Sequence, residues 1–216
     1  MIDYLEVENK FVEINGIKLN SCFDSGNAII VSVTFDASAL VNNARFILDH
    51  TVQIEIPKKY PLDLPSTFEF PEKTITNFPH LNHDTNRTFC LGIELDIRKK
   101  MEPDYSFETY VSLIADFLGM YQYYSRYQIF PYGERSHGDT GIREYYKELF
   151  SVDTDRQIMN LMKTNKLNNS MRNKKCPCNS GLKLKNCHWS QLNIILSNSL
   201  QHVQLQKDYK ILQRRL

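Results

Sequence analysis

The 216-residue chain sets 26 Lys and Arg against 25 Asp and Glu, and 42% of it is hydrophobic, which excludes a disordered polyelectrolyte and fits an ordinary globular protein. It holds no apolar run near the roughly 18 residues of a membrane-spanning helix, and its acidic start lacks a charged-then-apolar export pattern, so a cytoplasmic protein with no membrane partner is expected. The total of +1 hides a split. Residues 1–155 hold 14 Lys/Arg and 24 Asp/Glu, a balance of −10, whereas residues 156–216 hold 12 Lys/Arg and the single acid Asp208, a balance of +11. So complete a change of sign predicts two functional regions, the second drawn to an acidic partner or packed on the acidic half of its own or a sister chain.

In chain order, Ala28 to Asp36 is rich in β-branched residues and reads as a strand. Thr51-Val52-Gln53-Ile54-Glu55-Ile56 alternates with period two, the pattern of a sheet with one buried face. Pro57, Pro61 and Pro65 then interrupt any regular element, and Phe68-Glu69-Phe70 reads as one more short strand. Residues 72–104 show little periodicity and predict a long, structured, functional loop. Apolar residues from Phe107 to Tyr124 recur at three and four positions and predict a helix over 106–126 with Ser106 as its cap. Residues 142–150 read as a further helix, the Asn/Lys-rich stretch 163–175 reads as linker, and Leu192 to Leu212 suggest a C-terminal helix. Strands first and helices after predict an α+β fold, with an antiparallel sheet packed against helices.

The five cysteines are Cys22, Cys90, Cys176, Cys178 and Cys187. An odd count argues against a disulfide framework. Cys90 lies in polar, loop-forming sequence with His80, Asn82, His83 and Arg87 nearby, surroundings that expose a thiol and supply donors to a developing oxyanion. Tyr60-Pro61, Pro65 and Phe68-Glu69-Phe70 are followed by His80-Leu81-Asn82, and Cys90-Leu91 falls ten residues after His80. From Phe46 to Leu91 this order resembles the catalytic core of ubiquitin-conjugating enzymes, closer to their divergent bacterial members. There a Tyr-Pro and a further strand precede a His-Pro-Asn triplet, an acceptor cysteine and a long helix. Leu81 departs from the proline of the triplet, and the region before Phe46 lacks the family's basic first helix.

The resemblance implies that Cys90 carries a ubiquitin-like modifier as a thioester, received from an activating enzyme and passed to a target amine. It implies that Asn82 steadies the loop or stabilises the oxyanion, and that His80 stands beside them as a loop residue or base. Asp84 or Asp96 is a candidate to orient the incoming amine. Bacterial members of this kind act in antiphage defence, where the modified protein is a nucleotide cyclase. Two other readings use the same residues: a thiol hydrolase with His80 or His83 as base, and a non-catalytic zinc-containing adaptor that binds an acidic protein or nucleic acid.

Cys176, Cys178, Cys187 and His188 supply three thiols and an imidazole, the tetrahedral set that zinc prefers. The segment resembles the SEC-C motif found at the C-terminus of the secretion ATPase SecA, with Asn179 where the motif usually has glycine. A filled set implies structural zinc. The expected organisation is a conjugating-enzyme-like domain at 1–155, a basic linker at 156–175, the zinc knot at 176–189 and a C-terminal helix at 190–216.

Overall fold

The computed structural model describes residues 2–214, and the chain divides into two compact units. The first comprises the residues up to Gly92 with Lys100–Glu134; the second comprises Ile93–Lys99 and the chain from Arg135 onward.

The first unit opens with helix α1 (Tyr4–Val12), where the Asp3 carboxylate accepts the Leu5 N–H and Val7 and Phe11 bury one face. Six strands come next: β1 (Ile17–Asp24), β2 (Ala28–Phe35), β3 (Ala37–Val41), β4 (Ala44–Leu48), β5 (Thr51–Pro57) and β6 (Ser66–Glu69). The main sheet is an antiparallel meander in the order β1-β2-β5-β6, and β3 and β4 pair with each other between β2 and β5. Register sets Val31 against Ile54 and Val33 against Val52, so the period-two apolar residues of both central strands share one buried face. Asn42 and Asn43 close the β3–β4 hairpin at φ 47° and 63°, the left-handed pair that a two-residue turn demands and asparagine tolerates.

Helix α3 (Phe107–Tyr127) starts at Ser106, whose hydroxyl accepts the Thr109 N–H, and buries Phe107, Tyr110, Val111, Ile114, Phe117 and Leu118. It lies against the sheets. The Tyr110 hydroxyl donates to the Pro65 carbonyl beside β6 (2.8 Å), and Tyr123 meets Phe46 edge-on. Gly119 faces β3 so closely that a Cβ there would stand 2.7 Å from that of Ala39. β2 falls where β-branched composition predicts a strand, and β5 and α3 where hydrophobic periodicity predicts them. α1, β1 and the β3–β4 hairpin go beyond that reading because they are short or largely solvated, with little apolar repetition.

The second unit is helical. Helix α2 (Glu94–Met101) contributes Leu95 and Arg98; α4 (Gly138–Phe150), α5 (Asp155–Met162), α6 (Trp189–Ser197) and α7 (Ser199–Gln213) complete it. One apolar core takes Leu95, Tyr146, Phe150, Ile158, Leu161, Met162, Leu192, Ile195, Leu205 and Leu212, and with them Cys176, Cys178 and Leu184. A buried polar chain crosses it. Arg98 Nε donates to Gln204 Oε1 (3.3 Å), Gln204 Nε2 to Asp208 (2.9 Å) and the Tyr146 hydroxyl to Asp208 (2.8 Å).

Several expectations change here; the loop expected over 72–104, for one, contains α2 near its end. Residues 156–175, expected as linker, open within α5, fixed by a Thr154–Gln157 capping box and by burial of Ile158, Met159, Leu161 and Met162; this short amphipathic helix outweighs the polar composition after it. The helix expected across Leu192 to Leu212 is two. Asn198 breaks it, its side chain accepting the N–H groups of Leu200 and Gln201 (both 3.0 Å) to cap α7. The units divide at Glu134 and Arg135 rather than near residue 155.

Candidate functional site

In the first unit, Cys90 ends a short antiparallel ribbon that comes after β6. The Phe89 N–H donates to the Thr67 carbonyl (2.7 Å) and ties the returning arm to β6. Leu81 bridges Phe89, the Asn82 N–H donates to Thr88 O and the Cys90 N–H to His80 O, both at 2.8 Å. Asp84 shapes the tip: its carboxylate accepts the Thr88 N–H (3.0 Å) and the Thr88 hydroxyl, while Arg87 turns the chain at φ 56°. Burial opposes ionisation of Asp84, but the Thr88 hydroxyl and the N–H groups of Thr88, Arg87 and Asn86 hold its carboxyl below the usual range.

Opposed residues in an antiparallel pair share a face. His80, Asn82, Thr88 and Cys90 therefore line one side of the ribbon, and Leu81 and Phe89 are buried on the other. Asn82 Nδ2 donates to Thr88 Oγ1 (3.1 Å). A His80 ring nitrogen lies within 4.8 Å of Cys90 Sγ. The His80 ring is wedged against Phe130 (5.1 Å, edge-on) and Phe78 (5.4 Å), and Phe78 packs in turn on Phe117, Tyr121 and Tyr124 of α3. Cys90 is half-buried; burial pushes its thiol above the ordinary value, and the Gly92 backbone N–H opposes that in part. His83 is exposed, and Asp96 lies on α2 in the second unit. Asp84 is committed to the turn.

In the second unit, residues 172–187 form a knuckle. The Leu184 N–H donates to Lys174 O and the Cys176 N–H to Leu182 O (both 2.8 Å), with Lys175 bridging Lys183. Between the arms the chain turns through Asn179 (φ 64°) and Gly181 (φ 80°). The first of these left-handed positions explains why asparagine can stand for glycine there. A single 3₁₀ turn (Leu184–Asn186) then returns the chain to Cys187, and His188 begins α6.

The side chains of Cys176, Cys178, Cys187 and His188 converge, all four ligand atoms within 4.8 Å of one another. His188 Nδ1 lies 3.2 Å from Cys176 Sγ and 3.1 Å from Cys187 Sγ; Cys178 and Cys187 sulfurs are 3.6 Å apart. A tetrahedral ion with metal–sulfur bonds near 2.3 Å separates its sulfurs by about 3.8 Å, so the cluster needs little movement to hold a metal. His188 Nε2 meets the Phe150 carbonyl at 2.6 Å. A carbonyl only accepts, so Nε2 carries the proton and Nδ1 turns its lone pair to the sulfurs, the outer support typical of a metal-bound histidine. Burial pushes the Cys176 thiol up to about 12. Burial opposes ionisation of Cys178 too, but the Ser180 hydroxyl and N–H and the neighbouring thiols outweigh it and bring that thiol to about 6. Neither Ser180 nor the Phe150 carbonyl carries a sequence signal; the latter is brought in from α4 by tertiary packing.

Residues 172–190 match the family model of the SEC-C motif. No curated protein and no solved structure matches the chain. The protein thus combines a mixed α+β fold, its antiparallel sheet packed against helices, with a SEC-C cysteine–histidine cluster that could hold a metal ion. Among the described residues, no helix is long and apolar enough to cross a membrane.

Proposed function

We propose that the first unit is a ubiquitin-like-protein conjugating transferase with Cys90 as its acceptor thiol, and that the SEC-C cluster holds structural zinc. The observation that carries the first reading is the ribbon face, where His80, Asn82 and a half-buried Cys90 share one side of a ribbon tied to β6. The element order supports it. β5, Tyr60-Pro61, Pro65, β6, the His80–Asn82 triplet, Cys90 and the long helix α3 succeed one another as in ubiquitin-conjugating enzymes. Leu81, in place of the triplet's proline, donates its N–H to Phe78 O (3.2 Å) and buries its side chain, so the departure substitutes one loop restraint for another. α1 precedes the sheet but carries Glu6 and Glu8 with only Lys10, which suits an upstream partner other than one that reads a basic helix.

In the charging step the Cys90 sulfur attacks the carbonyl carbon of the modifier's activated C-terminus. An S–C bond forms, the upstream leaving group departs, and the thiol proton passes to His80 or water. In the transfer step a target amine adds to the thioester carbonyl, and collapse breaks the S–C bond, releases the Cys90 thiolate and leaves an amide. Asn82, with one N–H spent on Thr88, steadies the face on which this occurs. Bound zinc would cross-link the knuckle, and four protein ligands leave no open position for catalysis.

The test is capture of a thiol-linked adduct from cells that express the full chain. Wild type should yield an adduct that hydroxylamine cleaves, Cys90→Ala none, and Cys90→Ser a more stable oxyester. Cys22→Ser should behave as wild type; burial and Glu8 push that thiol to about 11. An adduct surviving in Cys90→Ala would overturn the reading and leave the unit a binding module.

A further inference from the structure

The knuckle presents a surface of one sign. Arg172, Lys174, Lys175, Lys183 and Lys185 are all exposed. None of them takes part in an ion pair among the described residues. The single acid of residues 156–216, Asp208, is 2% exposed and tied to Tyr146 and Gln204, so it neutralises nothing at the surface. Lys175 and Lys183 face each other directly across the bridge, an arrangement in which like charges repel. Arg172 lies over the Trp189 ring, 4.7 Å from its centre, which restrains its guanidinium and leaves its outer face to solvent. The knuckle thus holds cations together against their own repulsion, none of them paired with an acid among the described residues.

We propose that this face binds the phosphate backbone of nucleic acid without reading base sequence. The surrounding chemistry selects phosphate over an acidic protein. Protein partners are anchored by exposed aromatic and apolar side chains, and lysine is depleted at such interfaces. Here the aromatic ring is covered by Arg172, and Leu182 is the sole large hydrophobic residue exposed on the knuckle. The exposed residues between the cations are Asn173, Asn179, Ser180 and Asn186, side chains that commonly accompany Lys and Arg at phosphate and sugar contacts. The inference is independent of the chemistry at Cys90.

The experiment titrates the full-length protein into a fluorescent 20-base-pair duplex of random sequence across 50–300 mM KCl, with a 20-residue polyglutamate as competitor. Five cations on five phosphates predict a slope of log affinity against log salt of about −4.5, equal for unrelated duplex sequences. Lys175→Gln/Lys183→Gln should shallow the slope by about 2 and weaken binding roughly tenfold or more. If that pair disturbs the knuckle, seen in circular dichroism or metal content, Lys185→Gln alone should shallow the slope by about 1. Competition by polyglutamate at equal charge concentration would assign the face to an acidic protein. An unchanged slope in a folded variant would remove the face from binding altogether. Either result overturns the proposal.

Discussion

Removing metal from the cysteine–histidine cluster should unfold far more than the knuckle. Cys176 and Cys178 are 3% and 1% exposed and belong to the same core as Phe150, Leu192, Ile195, Leu205 and Leu212. His188 is hydrogen-bonded to the carbonyl that ends α4. A structural zinc contributes apparent folding free energy of about 10–16 kcal/mol in small metal-folded peptides, whereas a whole domain is stable by only about 5–15 kcal/mol. Stripping the ion, or replacing Cys178 by Ser, therefore leaves the second unit little or no margin. Hydrogen exchange read by mass spectrometry, before and after chelation, should show protection collapsing in α4, α6 and α7 while β2 and β5 stay protected. The single tryptophan, Trp189, should report the same event by fluorescence. Unchanged protection in α6 and α7, with metal shown absent by elemental analysis, would refute the reasoning and reduce the cluster to buried thiols.

Two further outcomes rest on buried and ribbon polar groups. Burial raises the Asp208 carboxyl to about 6 despite the donors Tyr146 and Gln204, against an ordinary 3.8. The folded state therefore holds this proton more tightly than the unfolded chain, and the associated stability, about 3 kcal/mol, is present below pH 4 and lost as pH rises through 6. Urea unfolding of Asp208→Asn against wild type should show the variant gaining about that much, relatively, between pH 4 and pH 7; parallel profiles would sink the assignment. Asn82→Ala removes the bond to Thr88 Oγ1, at a cost of about 1 kcal/mol to the ribbon. Thioester formation on Cys90 should persist while discharge to amines slows, as single-turnover assays would register; unchanged discharge would remove Asn82 from the transfer step.

Much of this protein is legible in its residue order, because the signals are local. The alternation of Thr51–Ile56 and the three-and-four spacing from Phe107 to Tyr124 depend only on which face is buried, and β5 and α3 result. The candidate metal ligands are equally plain, since Cys176, Cys178, Cys187 and His188 meet through one short knuckle. The spacing between His80 and Cys90 sets them opposite each other once the Asp84 turn closes the ribbon.

Tertiary structure decided the rest. The Asn/Lys-rich composition after Lys163 suggests a free linker, yet α5 ahead of it packs four apolar residues into the core that also encloses the cysteines. The knuckle is therefore a part of the second unit rather than a separate appendage. Its histidine takes its tautomer from Phe150, 38 residues away in the chain, and only packing could select that partner. Asp208, by composition the lone acid of a basic tail, is withdrawn from the surface by Tyr146 and Gln204, so it pairs with none of the knuckle's cations. Local periodicity and ligand spacing are properties of neighbouring residues and survive in one dimension. Burial, tautomer and the sign of a surface depend on groups far apart in the chain, and arise only when folding brings them together.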